Sequence, residues 1–127
     1  MNRKILTTKN APSAIGPYSQ GISASNLIFT SGQLPLCPKT GKLEDDIAKA
    51  TAQCIKNIEA ILLAAGSSLA HIVKTTVYLD NMQNFAKMNE VYTQFLGDNP
   101  PARTCFEVSK LPLCAKVEIE AIAVPLL

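Results

Sequence analysis

Between residues 46 and 65 the small or apolar side chains Ile47, Thr51, Cys54, Ile55, Ile58, Ile61, Leu62 and Ala65 recur at steps of three and four. Lys49, Gln53, Lys56 and Glu59 fall outside that stripe, which predicts an amphipathic helix over 46–65. Asp45 or Asp46 can accept from the free amides of its first turn, and Gly66 suits a left-handed exit. A second helix is predicted over 84–96, with Phe85, Met88, Tyr92, Phe95 and Leu96 as its stripe. Gly97 stops it, and Pro100-Pro101 bars continuation. Asn89 lies inside this pattern, either facing water at the edge of the stripe or buried and in need of partners.

Alternation and β-branched enrichment predict strands over 4–8, 19–23, 27–32, 72–79, 104–108 and 116–124, with a turn at Ser25-Asn26. This order reads as an α+β fold, a mixed six-stranded sheet with two helices packed on one face. The other face would expose Val, Thr and Ile residues from several strands, more apolar surface than a monomer usually leaves open. An oligomer whose sheets face each other is therefore expected. Residues 1–127 read as a single domain.

Composition narrows the function classes. Apolar residues make up 47% of the 127, enough for a core and far above a disordered segment. Twelve basic residues stand against ten acidic ones, a net charge of +2 that does not advertise a polyanion partner. The longest apolar run, 60–65, is too short to span a bilayer. The basic start MNRKILTTKNAPS is not followed by the apolar stretch of a signal peptide, so the cytoplasm is the expected compartment. The four cysteines include no Cys-x-x-Cys, and His71 is the single histidine, so neither a zinc site nor disulfides are expected. Cys37, Cys54, Cys105 and Cys114 read as free thiols. A Ser-His-Asp or Cys-His nucleophile would need His71, which has no acid close by in sequence.

Chemistry is more promising near the C-terminus. Period two along 116–124 puts Val117, Ile119, Ala121 and Ala123 on one face and Glu118, Glu120, Ile122 and Val124 on the other. Carboxylates on a face that turns apolar must be solvated, paired with a cation or shifted in pKa. Arg103 follows Pro100-Pro101-Ala102, so a restrained loop presents a planar fork of donors matched to a carboxylate. The plainer reading of Arg103 is a salt bridge to Glu118 or Glu120. Gly16-Pro17-Tyr18 is a turn carrying an aromatic ring, and Ser31-Gly32-Gln33 ends a strand where a backbone can approach a ligand. Together these residues suggest a pocket for a small anion.

These strings also form an ordered set: Ala14-Ile15-Gly16-Pro17-Tyr18-Ser19-Gln20, Thr30-Ser31-Gly32-Gln33, Val73-Lys74-Thr75-Thr76-Val77, Phe85 through Tyr92, Pro101-Ala102-Arg103 and Val117-Glu118-Ile119-Glu120-Ala121. In this order, over essentially the whole chain, they resemble the Rid (YjgF-like) family of reactive-intermediate deaminases, and within it the RidA subgroup. The resemblance implies a chorismate-mutase-like subunit, a homotrimer with active sites in the clefts between subunits, and no metal or cofactor. It implies hydrolysis of 2-imino acids (2-iminopropanoate and 2-iminobutanoate) to 2-keto acids and ammonia, in functional association with pyridoxal-phosphate-dependent dehydratases. On the same resemblance, Arg103 grips the substrate carboxylate and Glu118 sits near the imine and its attacking water. Cys105 lines the site through its main chain, and Tyr18, Ser31, Gly32 and Asn89 are further pocket positions. The sequence departs from the family at Leu113-Cys114, where relatives more often carry a polar pair, and at the bulky Phe106, which bears on substrate range. Two rival readings stand beside the enzyme. One is a non-catalytic keto-acid-binding protein; the other is a ribonuclease or translation inhibitor, for which the chain offers no Lys/Arg cluster or stacking aromatics.

Overall fold

Asp46 opens the first long helix: its carboxylate accepts from the Lys49 amide at 3.0 Å, and α1 runs Ile47–Ala64. Gly66, at φ +75°, takes the left-handed exit. Of the predicted stripe, Thr51, Cys54, Ile55, Ile58, Ile61 and Leu62 are buried, joined by Ala50 and Asn57, while Ile47 and Ala65 at its ends are half-buried. The second helix, α2, spans Phe85–Leu96 and buries Met88, Val91, Tyr92 and Leu96. In this computed structural model, which describes residues 3–126, all six predicted strands form: β1 (Arg3–Leu6), β2 (Gly21–Ala24), β3 (Leu27–Thr30), β4 (Ile72–Leu79), β5 (Ala102–Glu107) and β6 (Val117–Ala123). Strand ends differ from the prediction by up to two residues, at β1, β2, β3 and β5, and the early start of β5 takes Arg103 into the strand.

The sheet order is β1-β2-β3-β6-β4-β5. Every pairing is antiparallel except β4 with β5, which are parallel and joined by the crossover helix α2. The last strand thus enters the middle of the sheet. Its register sets Val77 opposite Ile119, Tyr78 opposite Glu118 and Thr76 opposite Glu120. Val117, Ile119, Ala121 and Ala123 pack under the helices, each no more than 2% exposed, while Glu118, Glu120 and Ile122 lie on the uncovered face. Beyond the end of β3 the pairing continues, because Gln33 and Ile119 exchange both main-chain hydrogen bonds, at 2.8 and 3.2 Å. This carries Ser31 and Gly32 past Glu118. As expected, the uncovered face shows apolar side chains, among them Ile5, Leu27, Phe29 and Phe106.

One polar residue joins the helix layer to the loops. Asn57, fully buried on α1, donates to the carbonyls of Leu34 and Leu36 at 3.1 and 2.9 Å and accepts from Gln53 Nε2 at 2.9 Å. Removing it strands two carbonyls and frees the segment that follows Gln33. Asn57→Ala is expected to lose about 2 kcal/mol of unfolding free energy, seen as a lower urea midpoint at unchanged slope.

Candidate active site

The arginine half of the site is built by β5 and α2. Arg103 pairs in register with the buried Thr75, which turns its side chain toward the helices. There Nη1 donates to Asn89 Oδ1 at 2.7 Å. The guanidinium carbon lies 4.8 Å from the ring centre of Tyr92 and 5.6 Å from that of Phe85, so cation–π attraction holds the planar group. Tyr92 is itself fixed by a 2.7 Å hydrogen bond between its hydroxyl and that of Thr75. Phe85, Asn89 and Tyr92 stand four and three residues apart, so one edge of α2 forms the cradle. Asn89 takes one of the five guanidinium N–H groups, which leaves donors for a ligand carboxylate. Arg103, Asn89, Tyr92, Pro100 and Pro101 line an open recess of about 400 Å³. Cys105, two residues along, shares this face; burial pushes its thiol pKa up while the Arg103 charge opposes that shift. β5 is an edge strand, so alternate main-chain groups beside Arg103 have no strand partner.

The glutamate half lies on the opposite face. The Glu118 carboxyl rests on Gly32 so closely that a Cβ there would sit 2.9 Å from its Cδ and Oε2. Glu118 is partly buried, and that burial, followed by the neighbouring Glu120 charge, raises its pKa above the usual carboxylate value. Glu120 accepts from the Tyr78 hydroxyl at 2.8 Å. Burial and this bond push the Tyr78 phenol up to about 12. The Tyr78 ring meets Phe106 edge-on, centroids 5.4 Å apart. Ser31 is spent on local structure: its amide donates to the Gln20 carbonyl at 2.9 Å and its hydroxyl to the Ser19 carbonyl at 2.5 Å. Tyr18 follows Gly16, whose φ of +126° favours glycine, and its hydroxyl accepts from the Ile15 amide at 3.2 Å. Tyr18 and Gly32 both line a recess of about 270 Å³.

Arg103, Asn89 and Cys105 therefore come together, as do Glu118 with Gly32 and Gly32 with Tyr18; Ser31 adjoins that second group. The two groups do not meet within one chain. A salt bridge from Arg103 to Glu118 or Glu120 is ruled out, since their registers with Thr75, Tyr78 and Thr76 set them on opposite faces of the sheet. Asn89 is neither a solvated edge residue nor an unpartnered amide, because it accepts from the arginine. Sequence reasoning missed the cradle rings of Phe85 and Tyr92, which share the helical spacing of the core stripe. It also missed Tyr78, and it missed Gln20, whose buried amide donates to the carbonyls of Thr8, Ala11 and Pro12 and orders the loop that leads to Tyr18.

A six-stranded mixed sheet with two helices on one face and polar clusters on both is the fold of the YjgF/L-PSP proteins, and the comparisons agree. The family model described as Endoribonuclease L-PSP matches residues 8–125. A RutC family protein from Pyrococcus horikoshii is 52% identical over 122 residues, covering 95% of this chain and 97% of that protein. The Escherichia coli K12 protein named 2-iminobutanoate/2-iminopropanoate deaminase is 48% identical over 124 residues, covering 95% and 97%. The crystal structure of E. coli TdcF with bound serine superposes at a TM-score of 0.94, with 44% identity and coverage of 97% and 99%. The chain belongs to the YjgF/RidA family.

The Glu118 environment has a measurable sign. A carboxyl whose pKa is raised in the folded state disfavours folding when ionised; the penalty is present above the folded pKa and is relieved as pH falls through it. Glu118→Gln removes the penalty. Its Tm is expected to exceed that of the unaltered protein at pH 7.5, with the difference closing by about pH 4, below the ordinary carboxylate value. Thermal unfolding at the two pH values checks this.

Proposed function

We propose that the protein hydrolyses small 2-imino acids, 2-iminopropanoate and 2-iminobutanoate, to 2-keto acids and ammonia. The observation that carries this reading is the Arg103 guanidinium, seated on Tyr92 and Phe85, anchored by Asn89 and left with donors to spare. Such a group is oriented in advance for a small carboxylate. The deaminase name of the E. coli relative and the serine of the TdcF structure, a ligand with a carboxylate and a nitrogen on one carbon, support it.

On this proposal the protein acts as a homotrimer, and each site joins Arg103 of one protomer to Glu118 of a neighbour, since one chain sets them on opposite faces. The exposed apolar side chains of the uncovered face favour such an assembly. Arg103 binds the substrate carboxylate through paired N–H groups, and the main chain at Cys105, together with Tyr18, Ser31, Gly32 and Asn89, completes the pocket. Water adds to C2 of the iminium while Glu118 takes its proton, forming the C–O bond and converting C=N to C–N. Glu118 then returns that proton to nitrogen. The C–N bond breaks, ammonia leaves with a proton, and the carbonyl forms. Desolvation raises the proton affinity of Glu118, which suits it to this shuttle, while Tyr78 occupies Glu120. The route calls on no metal, cofactor or cysteine nucleophile. A cytoplasmic location beside dehydratases that release enamines completes the proposal.

The test couples the purified protein to a serine or threonine dehydratase and follows the imine by semicarbazide trapping. The unaltered protein is expected to speed imine loss, and Arg103→Ala to lose 10²-fold or more, on the order of an electrostatic catalytic contact, with the fold retained by circular dichroism. Glu118→Gln is expected to keep 2-oxobutanoate binding and lose turnover. Binding without acceleration by the unaltered protein would favour the non-catalytic reading. Salt-sensitive RNA affinity in nuclease-free material would favour the nuclease reading that the family description carries.

A further inference from the structure

Thr75 stands where the sheet calls for hydrocarbon. It is 1% exposed, and its companions on the inward side of β4 are Ile72, Val77 and Leu79. Valine would match its branched shape and leave no hydroxyl to satisfy. The other two buried threonines among the described residues bond to main chain: Thr30 accepts from the Ala121 amide and Thr51 donates to the Ile47 carbonyl. Thr75 instead meets a side chain on another element, the Tyr92 hydroxyl, at 2.7 Å.

That bond ties α2 to the sheet at a particular place. Thr75 lies directly across from Arg103 in the parallel pairing of β4 with β5. Tyr92, 5% exposed, is thus tethered at its hydroxyl while its ring centre lies 4.8 Å from the Arg103 guanidinium carbon. Cation–π attraction is directional, strongest with the cation over the ring face, so a ring free to tilt holds it less well. Asn89, three residues earlier on the same helix edge, accepts from Arg103 Nη1 at 2.7 Å. Holding the Tyr92 end of α2 against β4 therefore governs both supports of the cation. Both hydroxyls are buried within one chain, so the tether does not wait on a neighbouring subunit.

We infer that Thr75 is a positioning residue for carboxylate recognition: its bond to Tyr92 sets the ring, and with it the Arg103 guanidinium, in the attitude that meets the substrate. Thr75 itself touches neither substrate nor reacting atoms. The inference rests on the imine-hydrolase reading, in which Arg103 holds the carboxylate in the ground state and the transition state alike. Loss of alignment then raises KM and leaves kcat little changed. A bond that serves stability alone gives another pattern, a lower Tm with ligand affinity intact.

The experiment measures 2-oxobutanoate Kd and the split between KM and kcat, with the imine supplied at graded levels by threonine dehydratase and read by semicarbazide trapping. Thr75→Val/Tyr92→Phe removes both hydroxyls and strands no polar group, so the fold is expected to hold by circular dichroism. Its Kd and KM are expected to rise about tenfold, the scale of one cation–π contact, while kcat changes less than about twofold. Tyr92→Phe alone carries the same expectation and serves where the double variant fails to fold. Thr75→Ser, which keeps the hydroxyl, is expected to retain both constants of the unaltered protein. Unchanged Kd and KM in the variants that lack the bond overturn the inference and leave the hydrolase reading standing. A Thr75→Ser variant as weak as the double variant also overturns it, since the branched methyl rather than the hydroxyl would then matter. If the unaltered protein binds 2-oxobutanoate without speeding imine loss, the hydrolase reading fails and the Kd values alone decide the inference; if it does not bind, both fall.

Discussion

β6 enters the sheet between β3 and β4, and a central strand with helices on one side has no freedom in which face it turns inward. A slip of one residue would bury Glu118 and Glu120 beneath α1 and bring Val117, Ile119, Ala121 and Ala123 to the surface. The hydrophobic penalty for four such exchanges, with two carboxylates desolvated, fixes the register firmly. Much of the glutamate half follows from it. Tyr78 lies across from Glu118 and within reach of Glu120, and Gln33 docks on Ile119, which lays Gly32 against the Glu118 carboxyl. A Cβ at that position would push the Glu118 carboxyl off its seat, so the glycine is what lets the carboxyl rest there.

The arginine half obeys a different logic. Its cation is partly withdrawn from water, and no carboxylate of the same chain comes to meet it among the described residues. Two aromatic faces and one amide oxygen compensate. This keeps the guanidinium oriented without neutralising it, the condition under which a bound anion gains most. An internal salt bridge would have stabilised the fold and closed the site. Separating Arg103 from Glu118 by the thickness of a sheet prevents that self-quenching.

Both helices, all six strands and the alternation of β6 were legible in the sequence because each is a local pattern enforced by burial. The α1 cap at Asp46 and the exit at Gly66 were legible for the same reason. The face of Arg103 was not. It depends on the parallel register of β5 with β4, set by the length and packing of the intervening helix, and chain spacing carries no trace of it. Tyr92 was hidden differently: a ring that packs into a core and a ring that supports a cation recur at the same helical interval. Ser31 entered as a pocket position on family resemblance alone, and the hydrogen bond from its hydroxyl to the Ser19 carbonyl is a contact that only the folded loop reveals. The roles assigned to Arg103 and Glu118 came from family resemblance, and the structure adds the reason they occupy separate faces.

The crossover from β4 through α2 to β5 has a temporal consequence. Asn89 and Arg103 are 14 residues apart and Thr75 and Tyr92 are 17 apart, so the anion cradle closes within one short stretch of chain. The bond from the Ala121 amide to the Thr30 hydroxyl, beside the other half, spans 91 residues. Loop-closure entropy makes such distant contacts the slow ones to form. The cradle is thus held by contacts that close over short spans of chain, whereas the Glu118 carboxyl reaches its seat on Gly32 only when the C-terminal strand threads into the sheet. One face of the molecule is tied together locally, the other only by the last strand to be made.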